Sequence, residues 1–265
     1  MSDKLDLAQI RQFWTEQAEK HGDSPDASWS DTPVIGLEIK QLIQRLCDGD
    51  HVLDVGCANG YTTIQLASQR RLRIKGVDYI PEMITHARRN LSAFTSKLPS
   101  SVEFDVGNVL ELAEPDSTYD KVVVVRVIIN LRDWRHQAGS LAHCIRVLKP
   151  GGELLLSEAT LQGWQSMNRF RKEWGLQEIA MPSFNQYLDE EQVVKELKPV
   201  AELVDIVNFA STYFVGTRVF KPLVDKALAL GVDVASPHME WNRFFSLLPA
   251  VGDYGTQKLF VFRKR

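Results

Sequence analysis

The segment LDVGCANG (53–60) stands where a buried apolar strand must turn into a helix. Small residues at such a turn let the backbone approach a ligand, and free N–H groups at the start of the following helix favour an anionic group. Asp78 ends the next apolar run, LRIKGVD (72–78), where a carboxylate can accept hydrogen bonds from both hydroxyls of a ribose. Together the two features predict a site for a nucleoside-containing cofactor.

Short apolar runs alternate with amphipathic helical patterns on both sides of this segment. Helical patterns begin at Tyr61, Pro81 and Asp133. The apolar runs that we expect to be strands are 51–55, 72–78, 102–105, 119–127 and 153–159. This alternation is a βαβ series and predicts a parallel sheet. The nearly unbroken run VVVVRVII (122–129) fits a central strand that is buried on both faces.

Further elements are expected before and after this series. Helical patterns cover 5–20, 33–46 and, less regularly, about 163–176, 187–198, 222–230 and 239–248, with strands near 202–210 and in the C-terminal QKLFVFRKR. We therefore predict a single α/β domain. Its expected parts are an N-terminal lid (1–32), a cofactor-binding core (33–160), a helical cap for the substrate (161–199 and 211–254) and the final strands (200–210 and 255–265).

The spacing of the glycines argues against a dinucleotide cofactor. A pyrophosphate site needs the pattern G-x-G-x-x-G, in which the glycines make room for the phosphates. Here Gly56 and Gly60 are four residues apart, and Ala58 holds the middle position. Tyr61 stands where the third glycine would be required. The pattern therefore does not favour NAD.

Most of 33–160 resembles the class I S-adenosylmethionine-dependent methyltransferase family. The segments that carry the resemblance are LDVGCANG, GVDYIPEMITHAR (76–88), DVGNV (105–109) and RVLKPGGELLLSE (146–158). The resemblance implies a Rossmann-like α/β fold with a seven-stranded, mostly parallel sheet, an antiparallel last strand and helical cap insertions. It also implies S-adenosyl-L-methionine as the cofactor and methyl transfer as the activity.

Two positions depart from the family pattern. Ala58 replaces the usual middle glycine, which costs little if its φ is negative. Asn108 replaces a common aspartate and keeps a side-chain acceptor for the adenine amino group. Both departures are therefore compatible with cofactor binding.

The same resemblance implies a set of cofactor contacts. Asp54 would orient the glycine loop, Asp78 would hold the ribose, and the Arg126 backbone would contact the methionine amino group. Met83 would flank the adenine, although a methionine in a helix is equally at home in a hydrophobic core. The expected cofactor-binding residues are Trp14, Asp54, Gly56, Cys57, Gly60, Asp78, Tyr79, Met83, Asn108, Val109 and Arg126. Trp14, with Phe13 and Trp29, is expected in the lid.

Methyl transfer from a sulfonium is an in-line displacement for which the protein mainly supplies alignment and dry surroundings. A base is needed only if the acceptor is a weakly acidic hydroxyl or a protonated amine. Because the acceptor should lie at the carboxyl ends of the fourth and fifth strands, the candidate catalytic residues are Asn130, His136 and Glu158. His136 or Glu158 could serve as a base, but a histidine in the first turn of a helix is more often a surface residue.

The helical additions carry arginines, amides and aromatic residues that would suit a carboxylate- or phosphate-bearing small molecule. Each of these residues by itself also fits a solvated helix surface. The candidate substrate-binding residues are Trp134, Asn168, Arg171, Asn185, Tyr213 and Arg218. We expect an anionic or polyhydroxylated acceptor that is methylated on oxygen, and a carboxylate acceptor would explain the lack of an obvious base.

Composition limits the other classes of function. The 265 residues include 31 Lys and Arg against 34 Asp and Glu, a net charge of −3, whereas nucleic-acid modules usually show a basic excess. The segment RVIINL (126–131) replaces the Asn-Pro-Pro-Tyr type of sequence found in related enzymes that methylate amines of bases or glutamine side chains. Three cysteines without a C-x-x-C pair predict neither a disulfide framework nor a metal site.

A cytoplasmic protein without a membrane segment is therefore expected. Two alternatives remain open at this point. One is an RNA or protein methyltransferase, and the other is a protein that binds the cofactor without transferring methyl groups.

Overall fold

The protein is described here by a computed structural model that covers residues 5–94 and 98–265. Its strands are β1 (His51–Val55), β2 (Arg73–Asp78), β3 (Ser101–Val106), β4 (Tyr119–Val125), β5 (Leu148–Ala159), β6 (Ala201–Val207) and β7 (Gln257–Lys264). They form one sheet in the order β3-β2-β1-β4-β5-β7-β6. β7 runs antiparallel to both β5 and β6, and the other neighbouring strands pair in parallel. The predicted seven-stranded, mostly parallel sheet with an antiparallel last strand is confirmed.

Helices surround this sheet and fill the connections between its strands. They are α1 (Leu7–His21), α2 (Thr32–Arg45), α3 (Tyr61–Gln69), α4 (Pro81–Ser92), α5 (Trp134–Val147), α6 (Leu161–Glu173), α7 (Glu190–Leu197), α8 (Ser211–Val215), α9 (Lys221–Leu228) and α10 (Glu240–Ser246). A π-helical turn, Gly216–Phe220, joins α8 to α9. Among the described residues, no helix has both the length and the apolar character needed to cross a membrane.

The strand order reverses beside β1, which is where the fold prepares a site. The chain runs from β1 outward to β2 and β3, and it then returns to place β4 on the other side of β1. The register pairs Leu53 of β1 with Lys75 of β2 and with Val122 of β4. In parallel α/β sheets, such a reversal opens a crevice at the carboxyl ends of the strands.

The central strands are buried on both faces, as the apolar run in β4 predicts. Val122 and Val124 pack towards α5 and α7 on one face. Val123 packs towards α2 and α3 on the other face. Full burial of one such side chain stabilises the fold by about 1.5–3 kcal/mol, so this layer is a large part of the core.

Two strand boundaries differ from the predicted ones for local reasons. We predicted a strand to residue 127, but β4 ends at Val125 because Arg126 has a φ of +54° and turns the chain out of the sheet. We predicted the fifth strand from residue 153, but β5 begins at Leu148, which pairs with Tyr119 before an irregularity in the register.

The helices after β5 cover the faces of the sheet. α7 contributes Val193 and Leu197 to the α5 side of the core. Tyr213 and Phe214 of α8 pack on the opposite side with α2 residues such as Ile35. These additions therefore hold α2 and α5 against the sheet, and a role of the same segments as a substrate cap stays a prediction.

Candidate cofactor and active site

A cavity of about 380 Å³ lies in the crevice beside β1. Its walls come from the loops that follow β1, β2, β3 and β4, together with α1. The segments that line it include 54–59, 78–80, 107–110 and 125–127. A cavity of this size, formed where strands end and mostly pre-shaped, is typical of small-molecule and cofactor sites.

The glycine loop packs closely against its neighbours. Gly56 has a φ of +76°, and a Cβ added there would lie 2.1 Å from a methyl carbon of Val127. Gly60 has a φ of +77°, and a Cβ there would lie 2.7 Å from the ring of Phe104. Gly56 lines the cavity, whereas Gly60 begins α3 on the side of β3 and does not line it. Both positions therefore require glycine, but only Gly56 offers a surface to a ligand.

Ala58 adopts a left-handed conformation with a φ of +48°, so the condition under which its replacement of glycine would cost little is not met. Its N–H donates to Asp78 Oδ2 at 3.0 Å. This bond ties the middle of the glycine loop to the end of β2. A non-glycine residue in this region costs about 1–2 kcal/mol, and the hydrogen bond to the Asp78 carboxylate offsets part of that cost.

Asp78 ends β2 with its carboxylate against the cavity. Its Oδ1 accepts the Ile80 N–H at 2.9 Å, and its Oδ2 accepts the Ala58 N–H. The residue is 8% exposed, and burial raises the pKa of this carboxyl to about 6. The Tyr79 backbone N–H also interacts with this carboxylate. Because a carboxylate has about four acceptor positions, acceptor capacity stays available to a ligand. Asp78 is therefore fixed, ionised at neutral pH and able to accept hydroxyl donors.

Asp54 lies at the end of β1 and is held from the side of α3. The Thr63 hydroxyl donates to Asp54 Oδ2 at 2.5 Å. Burial raises the pKa of the Asp54 carboxyl to about 6, and the hydrogen bond from Thr63 opposes that shift. Asp54 and Cys57 both line the cavity, and the Cys57 thiol has a raised pKa because of burial. The thiol is therefore protonated at neutral pH.

Met83 and Tyr79 form a wall of the cavity on the β2 side. Met83 also packs with Ile80 and Ala18, and Trp14 and Tyr79 border the same cluster. Met83 is therefore both a core residue and a lining residue. The two roles that the sequence left open are compatible at this position.

Asn108 and Val109 line the cavity after β3. The Asn108 side-chain oxygen accepts the Leu110 N–H at 3.0 Å. The acceptor that we expected for an adenine amino group therefore already stabilises a turn of its own loop. Its second lone pair is the part that a ligand could still use.

The helix α1 covers one side of the cavity with Leu7, Ile10, Arg11 and Trp14. A capping box starts the helix, since the Asp6 side chain accepts the Gln9 N–H and the Gln9 side chain accepts the Asp6 N–H, both at 2.9 Å.

Two contacts fix α1 over the cavity. The ring of Phe13 stacks on that of Phe184 with centroids 4.4 Å apart. At the other end of the helix, Asn59 Nδ2 donates to the carbonyl oxygens of Gly22 and Ser24 at 2.9 and 2.6 Å. The glycine loop and the end of α1 are therefore joined directly.

Arg126 and Asn130 line the cavity where β4 ends. The Arg126 guanidinium forms an ion pair with the buried Glu38 and lies 5.1 Å from the centroid of the Trp29 ring. Asn130 Nδ2 donates to the Arg126 carbonyl at 2.7 Å. Asn130 Oδ1 is buried and has no hydrogen-bond partner among the described residues, so it is an acceptor available at the cavity.

The other two candidate catalytic residues lie outside the cavity lining. His136 is in the first turn of α5, where its Nδ1 lies 2.8 Å from Asp133 Oδ1 and its side chain is 35% exposed. Glu158 is fully buried at the end of β5, and its Oε1 accepts the N–H groups of Val127 and Ile128 at 2.8 and 2.7 Å. Burial raises the pKa of Glu158 to about 8, so its carboxyl is mainly protonated at neutral pH.

None of the six candidate substrate-binding residues lines the cavity. Trp134, the first residue of α5, packs against the core. Asn168 exchanges hydrogen bonds with the backbone of Ile179. Asn185 borders a small pocket next to the cavity, and its Oδ1 is buried without a partner among the described residues.

The remaining three candidates form a buried network on the α2 side of the sheet. Tyr213 donates its hydroxyl proton to Asp31 Oδ1 at 2.6 Å, and Arg218 pairs with the other oxygen of Asp31. Arg171 donates to the backbone carbonyls of Arg218 and Gln177. Buried charges need such partners because they are costly to leave unpaired, so these groups are occupied within the fold.

Known proteins match this chain at the same segments. Residues 52–152 match the family model of a methyltransferase domain. A protein of Mycolicibacterium smegmatis described as a probable S-adenosylmethionine-dependent methyltransferase is 36% identical over 119 residues, 45% of this chain and 42% of that protein. Over residues 52–152 the chain is therefore similar to S-adenosylmethionine-dependent methyltransferases.

Two further proteins are similar to this chain. The 27-O-demethylrifamycin SV methyltransferase of Amycolatopsis mediterranei is 28% identical over 143 residues, 52% of this chain and 51% of that protein. The chain thus spans about half the length of the curated relatives it matches. A magnesium protoporphyrin IX methyltransferase from Synechocystis PCC 6803 with bound SAH shares the fold, with a TM-score of 0.61, 13% identity and coverage of 98% of this chain and 100% of that chain.

The structure adds residues that the sequence alone did not single out. Asn59 and Arg11 line the cavity, and Glu38 fixes Arg126 from the opposite side. A signal for Glu38 existed, because it is a carboxylate in the apolar helical run PVIGLEIKQLI (33–43). Asn59 carried no comparable signal, since its partners, Gly22 and Ser24, are distant in sequence.

Proposed function

We propose that the chain binds S-adenosylmethionine in this cavity and transfers its methyl group to a small-molecule acceptor. The observation that carries the proposal is one cavity in which the glycine loop, the Asp78 carboxylate and the Met83 wall meet at the ends of neighbouring parallel strands. These groups fit the cofactor chemically. A carboxylate suits ribose hydroxyls, an apolar wall suits a purine, and a glycine turn makes room for the methionine chain.

The residues of the chain would act by binding and orientation. Asp78 would accept hydrogen bonds from the ribose hydroxyls with the acceptor capacity that its backbone partners leave available. Trp14 and Tyr79 would enclose the purine and exclude water. The cofactor supplies a methyl group that is activated on a sulfonium, so no protein acid has to protonate the leaving group. Alignment and a dry cavity can then account for much of the rate.

The lining of the cavity favours an acceptor that needs no strong protein base. Within the part of the chain that the structure describes, the lining holds no histidine, and its carboxylates are Asp54 and Asp78, each already bonded within the loop region. We therefore infer an oxygen acceptor that ionises readily, such as an acidic hydroxyl or a carboxylate. Asn130 Oδ1 would accept a hydrogen bond from a hydroxyl of the acceptor, which favours a hydroxylated molecule over one that is only anionic.

A small acceptor also agrees with the way the cavity is enclosed. Leu7, Ile10 and Trp14 of α1 line one side of the cavity, and the Phe13–Phe184 stack holds this helix in place. An RNA or a folded protein would have to displace this helix before a side chain or base could reach the sulfonium. The net charge of −3 gives a polyanion no general attraction.

A transfer experiment separates the three functions that the sequence allowed. The full chain is incubated with methyl-labelled S-adenosylmethionine and with separated pools of metabolites, RNA and protein, beside an Asp78→Asn variant as the matched control. Label in the metabolite pool, reduced by the variant, is the expected result. Label in RNA or protein would overturn the small-molecule acceptor, and label in no pool would favour a protein that only binds the cofactor.

A further inference from the structure

Arg126, which follows β4, lines the cavity, and the proposed function gives its side chain no role. Among the described residues, Arg126 and Arg11 are the cationic residues in the lining. Arg126 has a φ of +54°, which is unusual for a residue other than glycine. Such backbone strain persists only where the surroundings hold it, and it often occurs at binding sites. The side chain is 14% exposed, so the guanidinium is nearly removed from bulk solvent.

The Arg126 guanidinium is held in one orientation from behind the cavity. Glu38, which is 1% exposed, pairs with one of its nitrogens. Glu38 is itself fixed, because its other oxygen accepts hydrogen bonds from Ser157 and Gln257. The Trp29 ring lies against the guanidinium at 5.1 Å. A flexible side chain is thus held in place before any ligand arrives, which lowers the entropy cost of binding.

The guanidinium has more donors than the protein uses. An arginine carries five N–H donors, and in the described part of the chain Glu38 is the side-chain or backbone group that accepts from them. A ligand that fills the cavity and displaces its water must therefore satisfy the remaining N–H groups. Planar anions such as carboxylates match this arrangement of donors best.

Three amides of the neighbouring glycine loop, those of Gly56, Cys57 and Ala58, are already engaged. The N–H groups of Gly56 and Cys57 both donate to the Val77 carbonyl, at 2.7 and 3.0 Å. The Ala58 N–H donates to Asp78. The other lining cation, Arg11, interacts electrostatically with Tyr79 on the β2 side of the cavity. Arg126 is thus the side-chain donor available beside Gly56.

We propose that the Arg126 guanidinium binds the α-carboxylate at the amino-acid end of the cofactor, with Glu38 and Trp29 as the positioning residues. This inference rests on the proposed function and assigns a part of the ligand to a side chain, where the family resemblance implied only a backbone contact. The carboxylate would form a charge-assisted pair with the donors that Glu38 leaves available. Glu38 keeps the site near neutrality when no carboxylate is present.

The test compares two ligands that differ in this end of the molecule. S-adenosylhomocysteine has the amino-acid end, and 5′-methylthioadenosine lacks it. Calorimetric titration of the full chain with each ligand is repeated on Arg126→Met, which keeps a Cβ and so adds no new backbone strain. We expect the variant to bind S-adenosylhomocysteine about 10- to 100-fold more weakly, and 5′-methylthioadenosine with less than about a threefold change.

Two further variants sharpen the comparison. Arg126→Lys keeps the charge but loses the planar set of donors, so it should fall between the wild type and Arg126→Met for S-adenosylhomocysteine. Arg11→Met is the matched control, since it removes the other lining cation. It should change the affinity for both ligands by the same factor.

The outcomes separate this inference from the function on which it rests. If Arg126→Met binds S-adenosylhomocysteine as well as the wild type does, or loses affinity for both ligands equally, the carboxylate assignment is wrong and the cofactor site stands. If the wild type binds neither ligand, the proposed function itself fails. Thermal unfolding of each variant shows whether a loss of binding comes from a loss of folded protein.

Discussion

Gly56 is the residue at which the backbone comes closest to another part of the site. An added Cβ would meet the Val127 side chain at 2.1 Å, and the φ of +76° is unfavourable for any other residue. We therefore expect Gly56→Ala to destabilise the fold by about 2–4 kcal/mol, from backbone strain and overpacking together. Urea unfolding followed by circular dichroism measures this change.

A second glycine provides the matched control for that substitution. Gly139 lies in α5 with open space around its Cβ position. Gly139→Ala should stabilise the protein by about 0.5–1 kcal/mol, because alanine is the better helix former. Equal effects of the two substitutions would contradict the close packing described for the glycine loop.

Asp78 should make ligand binding depend on pH near its own titration. Its pKa is raised to about 6 by burial, so the carboxylate is ionised above this pH and protonated below it. A ribose hydroxyl donates a stronger hydrogen bond to the ionised form. We expect the affinity for S-adenosylhomocysteine to rise between pH 5 and pH 7 and this rise to shrink in Asp78→Asn. Parallel titration profiles for the two proteins would contradict the assignment.

Glu158 should make stability depend on pH through a different mechanism. Burial raises its pKa from 4.5 to about 8, so the folded protein favours the protonated carboxyl. This contribution is complete below pH 4.5 and is lost as the pH rises through 8, at roughly 1.4 kcal/mol per pH unit between the two pKa values. Glu158→Gln removes the titration.

Thermal unfolding at pH 5, 7 and 9 measures this effect. The Tm of Glu158→Gln should lie below that of the wild type at pH 5, because an amide N–H group is left unpaired, and it should approach or exceed the wild-type Tm at pH 9. A Tm difference that stays constant across the three pH values would show that Glu158 does not titrate in this range.

Among the elements, α1 is the one whose position depends most on a few contacts. Asn59 donates to the carbonyls of Gly22 and Ser24, which directly follow α1. Asn59→Ala leaves the Gly22 carbonyl unpaired and the Ser24 carbonyl with only the Ala27 N–H as donor. We expect amide exchange in 18–28 to accelerate about tenfold, as the loss of one or two hydrogen bonds implies. Hydrogen-exchange mass spectrometry measures this rate, with α10 as the internal reference.

Asn208→Ala is the matched control for this element. Asn208 donates one hydrogen bond to Asp253, at 2.6 Å, and lies outside the cavity lining. It should leave exchange in α1 unchanged. If both variants accelerate exchange in α1 equally, Asn59 does not hold the helix in place.

The elements of the sheet were predictable because their signals are local. The run VVVVRVII marks a central strand, and LDVGCANG marks a strand followed by a glycine turn, without reference to the rest of the chain. The end of β4 was not predictable at the residue, because nothing in the apolar run marks the positive φ of Arg126. The partner of its side chain, Glu38, also lies 88 residues earlier.

At the scale of the whole molecule, most residues predicted to bind the cofactor line the cavity, whereas the residues predicted to bind the acceptor do not. Residues assigned from motif segments, such as Asp78 and Met83, line the cavity because each follows a strand whose end is set by the sheet. Arg171 and Arg218 were assigned from residue type alone. Their partners, Gln177 and Asp31, are brought to them by tertiary packing, which a pattern of residue types does not encode.

The most direct test of the cofactor site is a calorimetric titration of the full chain and of its Asp78→Ala variant with S-adenosylhomocysteine. We expect one binding site per chain. The variant should lose about 1–3 kcal/mol of binding free energy, because a charge-assisted hydrogen bond to the ribose is removed. Absence of binding by the wild-type chain, or the same affinity in both proteins, would contradict the assignment of this cavity as the cofactor site.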